Sequence, residues 1–70
     1  MGTLQKDQLI GLREVVATVG LSRASVYRYI RRDDPRLRFP APVRVGPRSL
    51  WLDREVQEWI ARQVAASRAH

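Results

Sequence analysis

The stretch LREVVATVGLSRASVYRYIRR, residues 12–32, decides the fold. Leu12, Val15, Val16 and Val19 recur at i, i+3, i+4 and i+7, the spacing of one face of an α-helix, and predict a helix over 12–19. Gly20 stands where that helix must stop, because a residue without a Cβ takes the left-handed conformation of a C-cap at no steric cost. Leu21 then turns back toward the core. Ser22 offers a hydroxyl to the unpaired backbone donors of a new first turn, and Arg23 to Arg32 contains neither Gly nor Pro, so a second helix is expected over 22–32. Two short helices joined by a tight, glycine-containing turn make a helix-turn-helix.

C-terminal to this unit, Asp33, Asp34 and Pro35 should end the second helix, since the residue before a proline is pushed out of the α region. Three of the four prolines fall between 35 and 42, and 33–42 reads as a loop. Val43, Arg44 and Val45 alternate apolar and charged, Gly46 and Pro47 make a turn, and Ser49 to Leu52 is β-compatible. A hairpin of 43–45 with 49–52 is expected, a wing over 43–52. Asp53 is expected to cap a third helix over 53–66, with Glu55 near its positive end and Val56, Trp59, Ile60 and Val64 along one side. Ser67 to His70 should fray, and Leu9 and Ile10 form a short extended lead-in to the first helix. The expected architecture is a single domain over 1–70, mainly α with a small β-hairpin: a winged helix-turn-helix.

Seventy residues can bury only one small core, so most large apolar side chains should be structural, Tyr29, Trp51 and Trp59 among them. Function is then sought on the polar surface. Thirteen Lys and Arg face seven acids, a net charge of +6, and twelve of the thirteen are Arg. Genome composition alone can enrich arginine, but position is more telling. Eight arginines lie between Arg23 and Arg48 against Asp33 and Asp34 alone, so this middle stretch carries a net +6 and the two ends cancel. A local positive field points to an anionic partner, and the planar guanidinium fork suits phosphates and guanine edges.

Cysteine is absent, which excludes disulfides and thiolate metal sites. No apolar run reaches the roughly 20 residues of a membrane span, and Met1 to Gly11 lacks the apolar stretch of a signal peptide. The chain is therefore expected in the cytoplasm of a bacterial or phage-infected cell, associated with the nucleoid, without cofactor or metal.

On a helical wheel, Val26, Tyr29 and Ile30 share one side of the second helix, whereas Arg23, Ala24, Tyr27, Arg28 and Arg31 share the other. An α-helix fits the major groove of B-DNA, and in a helix-turn-helix the second helix lies there with its first residues at base edges. Arg23 and Arg28 can each donate two hydrogen bonds to a guanine. Ser22 and Ser25 can bind phosphate, Ala24 allows close approach or touches a thymine methyl, and Arg31 meets the backbone. Tyr27 is either a sugar-phosphate contact or a packing residue. Arg44 lies on the polar side of the hairpin, and Arg48, beside the turn, can enter a minor groove. Arg36 and Arg38 fit phosphate contacts and solubilising loop charges equally well, and His70 is read as inert.

These residues occur in a recognisable order. The segments GLREVVATVGLSRASVYRYIRRDD and RFPAPVRVGPRSLWLDREVQEWI resemble the AlpA-type phage and prophage regulators over about residues 9–61. The resemblance rests on Glu14-Val15, Gly20-Leu21-Ser22-Arg23, Ser25-Val26-Tyr27-Arg28, Phe39-Pro40, Pro42-Val43, Gly46-Pro47-Arg48, Trp51, Glu55-Val56 and Trp59. It implies a MerR- and excisionase-like winged helix-turn-helix, with Ser22, Arg23, Ser25, Tyr27 and Arg28 on the recognition helix and Arg48 on the wing. It further implies either a transcription regulator or an excisionase-like directionality factor that bends DNA near an attachment site. Two features depart from the family pattern. Tyr29 replaces an aliphatic residue, and 33–38 lengthens the link to Phe39-Pro40, which leaves the wing's placement open.

The expected partner is double-stranded DNA, bound as a sequence-specific regulator or as a directionality factor. A homodimer or cooperative multimer on DNA, and integrase or RNA polymerase as protein partners, stay open. An enzyme is not expected: one His, no Cys, no phosphate-binding glycine loop and no carboxylate pair with a pocket leave no general base with a nucleophile. A third class, a protein-interaction module, would use the apolar stripe of helix 53–66 if that stripe were free of the core.

Overall fold

The computed structural model describes residues 8–69. Strand β1 (Leu9–Gly11) leads into α1 (Leu12–Val19) and α2 (Arg23–Ile30). Strands β2 (Val43–Val45) and β3 (Arg48–Leu52) follow, and α3 (Asp53–Arg68) completes the fold. It is mostly α-helical, with one small antiparallel sheet.

The helix-turn-helix forms as its local chemistry dictates. Val15 is fully buried, while Leu12, Val16 and Val19 pack against the core from the same side of α1. Gly20 caps α1 at φ 73°, and its N–H donates to the Val16 carbonyl at 2.9 Å. Ser22 caps α2, its Oγ accepting from the Ser25 N–H at 3.1 Å. The end of α2 differs from expectation: it stops at Ile30, not at 32. A long-range bond redirects the chain there, because the Tyr29 carbonyl accepts from the Phe39 N–H at 3.1 Å. The Arg38 guanidinium then takes the next free carbonyls, those of Arg32 (2.8 Å) and Asp33 (3.0 Å).

The sheet is larger than the expected hairpin. Its order is β1-β3-β2, with β3 central, and Ile10 stands opposite Trp51. The extended lead-in is thus a paired strand. Strand β3 starts at Arg48, one residue before the expected 49, so Gly46 and Pro47 alone form the loop. Gly46, at φ 59°, occupies the first loop position as a type II′ hairpin turn requires.

Asp53 is not the cap of α3. Strand β3 feeds directly into the helix, so Leu52 takes the cap position without a side-chain bond and Asp53 becomes the first helical residue. Its N–H instead donates to the Gln8 carbonyl at 2.8 Å, and its carboxylate accepts from Gln57 at 3.3 Å. At the other end, α3 continues through Arg68 where fraying from 67 was expected. His70 lies outside the described residues.

The core consists of Ile10, Val15, Val26, Phe39, Trp51, Val56 and Trp59. Phe39 meets Trp59 edge-on at 5.0 Å between centroids, and Tyr29, partly buried, meets the same indole at 5.7 Å. Tyr29 thus fills the aliphatic position with a ring that joins an aromatic cluster. Both indole N–H groups find carbonyls in the loop: Trp59 donates to Leu37 (3.2 Å) and Trp51 to Pro40 (2.9 Å). Each bond satisfies a polar atom whose burial would otherwise cost about 1–3 kcal/mol.

Candidate nucleic-acid interface

Residue spacing on α2 sorts its side chains as the wheel anticipates. Val26 is fully buried and Tyr29 and Ile30 pack against the core, whereas Arg23, Ala24, Tyr27, Arg28 and Arg31 are exposed. Ser22 is exposed at the helix start and Ser25 half-buried one turn on. Tyr27 has 38% of its surface exposed and lies outside the core cluster, so it is not a core packing residue. The hairpin presents Arg44 and Arg48, both exposed.

A short polar relay runs along the outer face of α2. The Ser22 hydroxyl donates to Ser25 Oγ at 3.1 Å, and Arg28 Nη2 donates to the same Ser25 Oγ at 3.1 Å. Ser22 is therefore engaged first as a cap, and Ser25 as an anchor for Arg28. The spacing Ser25, Arg28 is i, i+3, so the pair is readable from sequence as helix neighbours. Ordering of the guanidinium before a ligand arrives reduces the entropy lost on binding.

The arginines of the middle stretch fall into two groups. Arg38 closes the C-terminal end of α2 through backbone carbonyls. Arg36 bonds Asp34 through Nη2 at 3.2 Å and Nε at 3.3 Å, and Arg32 lies over the Tyr29 ring at 5.3 Å. These three are committed within the fold. Arg28 and Arg44 touch only serine hydroxyls, Arg44 reaching Ser49 at 3.3 Å across the hairpin. Arg23, Arg31 and Arg48 have no side-chain partner among the described residues. These five, without a backbone, carboxylate or ring partner, are those that the wheel and the hairpin single out. Nothing in composition separates the two groups, because the role of Arg38 depends on the return path of the loop.

Asp34 is held below the ordinary aspartate pKa, first by the side-chain bond from Arg36 and then by the Arg36 backbone N–H. The same pairing raises Arg36. Arg36 thus lies beside an opposite charge, whereas the arginines of α2 and the hairpin have no acidic partner among the described residues.

The longer link does not leave the wing adrift. The Phe39 N–H bonds the last turn of α2 through Tyr29, and one residue later the Pro40 carbonyl accepts from Trp51 of β3. Helix and hairpin are tied through adjacent residues. Among the described residues no group of three His, Cys, Asp or Glu side chains is arranged to hold a metal ion, and no helix is long and apolar enough to cross a membrane.

The family described as prophage CP4-57 regulatory protein (AlpA) matches residues 8–64. An uncharacterized protein of Enterobacteria phage P4, ORF88, is 32% identical over 63 residues, which cover 89% of this chain and 67% of the relative. No solved structure matches the chain.

Proposed function

Because the chain belongs to the AlpA family of prophage regulatory proteins, we propose that it binds duplex DNA sequence-specifically to regulate transcription, with α2 in the major groove and the hairpin wing on the flank. One observation carries the proposal. Of the eight arginines between Arg23 and Arg48, the five without a backbone, carboxylate or ring partner lie on the exposed side of α2, at its C-cap or on the hairpin, while Arg32, Arg36 and Arg38 are engaged within the fold. Arg23, Ala24 and Arg28 are placed for base edges, Ser22, Ser25, Tyr27 and Arg31 for the backbone, and Arg44 and Arg48 for the groove beside it.

This surface offers hydrogen-bond donors and cations rather than a nucleophile with its base, so the proposed role is recognition and not catalysis. Nor does α3 offer a free apolar stripe, since Val56 and Trp59 are buried and Ile60 packs on the core, with only Val64 exposed, at 41%. A directionality factor would use the same face and add DNA bending, which a circular-permutation mobility assay detects.

The test is a fluorescence-anisotropy titration of duplex from upstream of the protein's own gene against a scrambled duplex, at two salt concentrations. Preference for the native duplex is expected. Neutralising about five phosphates gives a slope of log K against log salt of roughly −4.5. Equal binding to both duplexes would reject sequence-specific recognition of that region.

A further inference from the structure

Arg28 is the sixth residue of an eight-residue helix, away from the end that a recognition helix turns toward base edges. Its guanidinium does not stay level with its Cα. Nη2 donates to Ser25 Oγ at 3.1 Å, so the side chain runs back toward the start of α2 by three residues, a rise of about 4.5 Å. Helical side chains lean that way, and the bond selects one rotamer among those that do. In the other direction, Ser25 and Arg28 line a groove of about 800 Å³ together with Arg31, Arg32, Asp33 and Asp34. A guanidinium released from Ser25 can swing along that groove toward the two carboxylates.

The hydroxyl that holds Arg28 is used to capacity. It has two lone pairs and one proton, and both lone pairs are taken, by the Ser22 hydroxyl and by Arg28, each at 3.1 Å. Ser22 Oγ is fixed in turn, because it caps α2 by accepting from the Ser25 N–H. The anchor is thus part of the helix cap and not a free rotor. On the arginine, Nη2 carries two hydrogens, and giving one to Ser25 leaves a single two-donor edge of the guanidinium open. One such edge matches the O6 and N7 acceptors of one guanine. An untethered arginine meets any phosphate within reach, which adds affinity without sequence preference.

We propose that Ser25 is a positioning residue that sets guanine specificity, by holding Nη2 so that the one open edge of Arg28 faces a base and not a phosphate. The inference rests on the proposed DNA binding, and the experiment separates the two. A duplex is selected from a random pool with the full chain, and each guanine is then replaced in turn by 7-deazaguanine, which lacks the N7 acceptor. At one guanine wild type is expected to lose about tenfold in affinity while Arg28→Ala loses nothing, which identifies the base that Arg28 reads. Ser25→Ala should lower the discrimination at that guanine to about threefold or less. Ser25→Thr, which keeps the hydroxyl, should restore it. In the Arg28→Ala background, Ser25→Ala should alter no base preference. Alanine favours the helix and the cap bond uses the backbone N–H at position 25, so the variant keeps its fold, which thermal melting checks. Nitrogen-detected NMR of the DNA-free protein reads the anchor directly: rotation of the Arg28 guanidinium should be slowed in wild type and fast in Ser25→Ala.

Full discrimination retained by Ser25→Ala overturns the proposal, as does a Ser25→Thr that restores nothing. Equal losses on the guanine and 7-deazaguanine duplexes would leave Ser25 a backbone contact alone, and also overturn it. So would a guanidinium that rotates as fast in wild type as in Ser25→Ala. Failure of wild type to bind any selected duplex would reject DNA recognition itself, and this inference with it.

Discussion

Between Arg31 and Pro42 the chain forms neither helix nor strand, whereas Val43–Val45 and Arg48–Leu52 form a regular hairpin. Anchoring runs the other way. The irregular segment contributes a fully buried Phe39 and receives side-chain bonds from Trp51, Trp59 and Gln63, the last reaching the Arg36 carbonyl at 3.0 Å. All three residues of β2 are exposed, and the hairpin reaches the core only at Trp51. A β-ladder satisfies backbone groups wherever it lies, but only burial fixes a segment to the rest of the molecule. The pinned loop keeps α2 and the base of the wing in register. The outer strand of the hairpin stays exposed.

Phe39→Ala gives the largest effect that distinguishes the two segments. Removing a fully buried ring from the aromatic cluster should cost about 3–5 kcal/mol, enough to unfold much of so small a domain. Val45→Ala on the exposed strand should change stability by no more than about 0.5 kcal/mol. Urea titrations of both variants measure the difference, and equal losses would break the comparison.

Two arginines sharpen it next. Arg28→Ala should lower specific DNA affinity by about 1–3 kcal/mol, the worth of one bidentate base contact, with little change in melting temperature. Arg38→Met should do the reverse. It removes the donors that close α2, so about 1 kcal/mol of stability is lost while the folded fraction binds DNA as before. Anisotropy and thermal melting on the same two proteins test both halves. Equal affinity losses would mean that Arg38 faces DNA despite its bonds to Arg32 and Asp33.

What could be read in advance follows the same division between local and long-range causes. The bounds of α1, the caps at Gly20 and Ser22, the turn at Gly46 and the outward face of α2 depend on residues within a turn or two, and periodicity exposes them. The pairing of Leu9–Gly11 with β3 was hidden, because three residues carry too little alternation to specify a distant partner. The end of α2 at Ile30 was hidden for a related reason: proline rules reach only one residue back, while the Phe39 N–H that terminates the helix arrives from nine positions on. Asp53 looked like a cap because its type favours one, yet the preceding strand left no room for a cap turn. On the site, the wheel separated outward from inward residues but not committed arginines from available ones.

The smallest expected effect belongs to Arg36, and its size follows from where the ion pair sits. The side chains of Arg36 and Asp34 are 89% and 36% exposed, so solvent screens their attraction and the pair adds little to stability. Its signature is in titration. With its folded pKa below the ordinary value, Asp34 contributes at neutral pH, and that contribution is lost only as pH falls through the folded pKa. Arg36→Ala should therefore leave melting at pH 7 almost unchanged and shift the Asp34 titration upward in carboxyl NMR. The shift should stop short of the ordinary value, because the backbone N–H at position 36 still bonds Asp34 Oδ1 at 3.0 Å and Arg32 still attracts it. DNA affinity should stay at the wild-type level. A loss comparable to that of Arg28→Ala would move the DNA-facing surface from α2 to the loop.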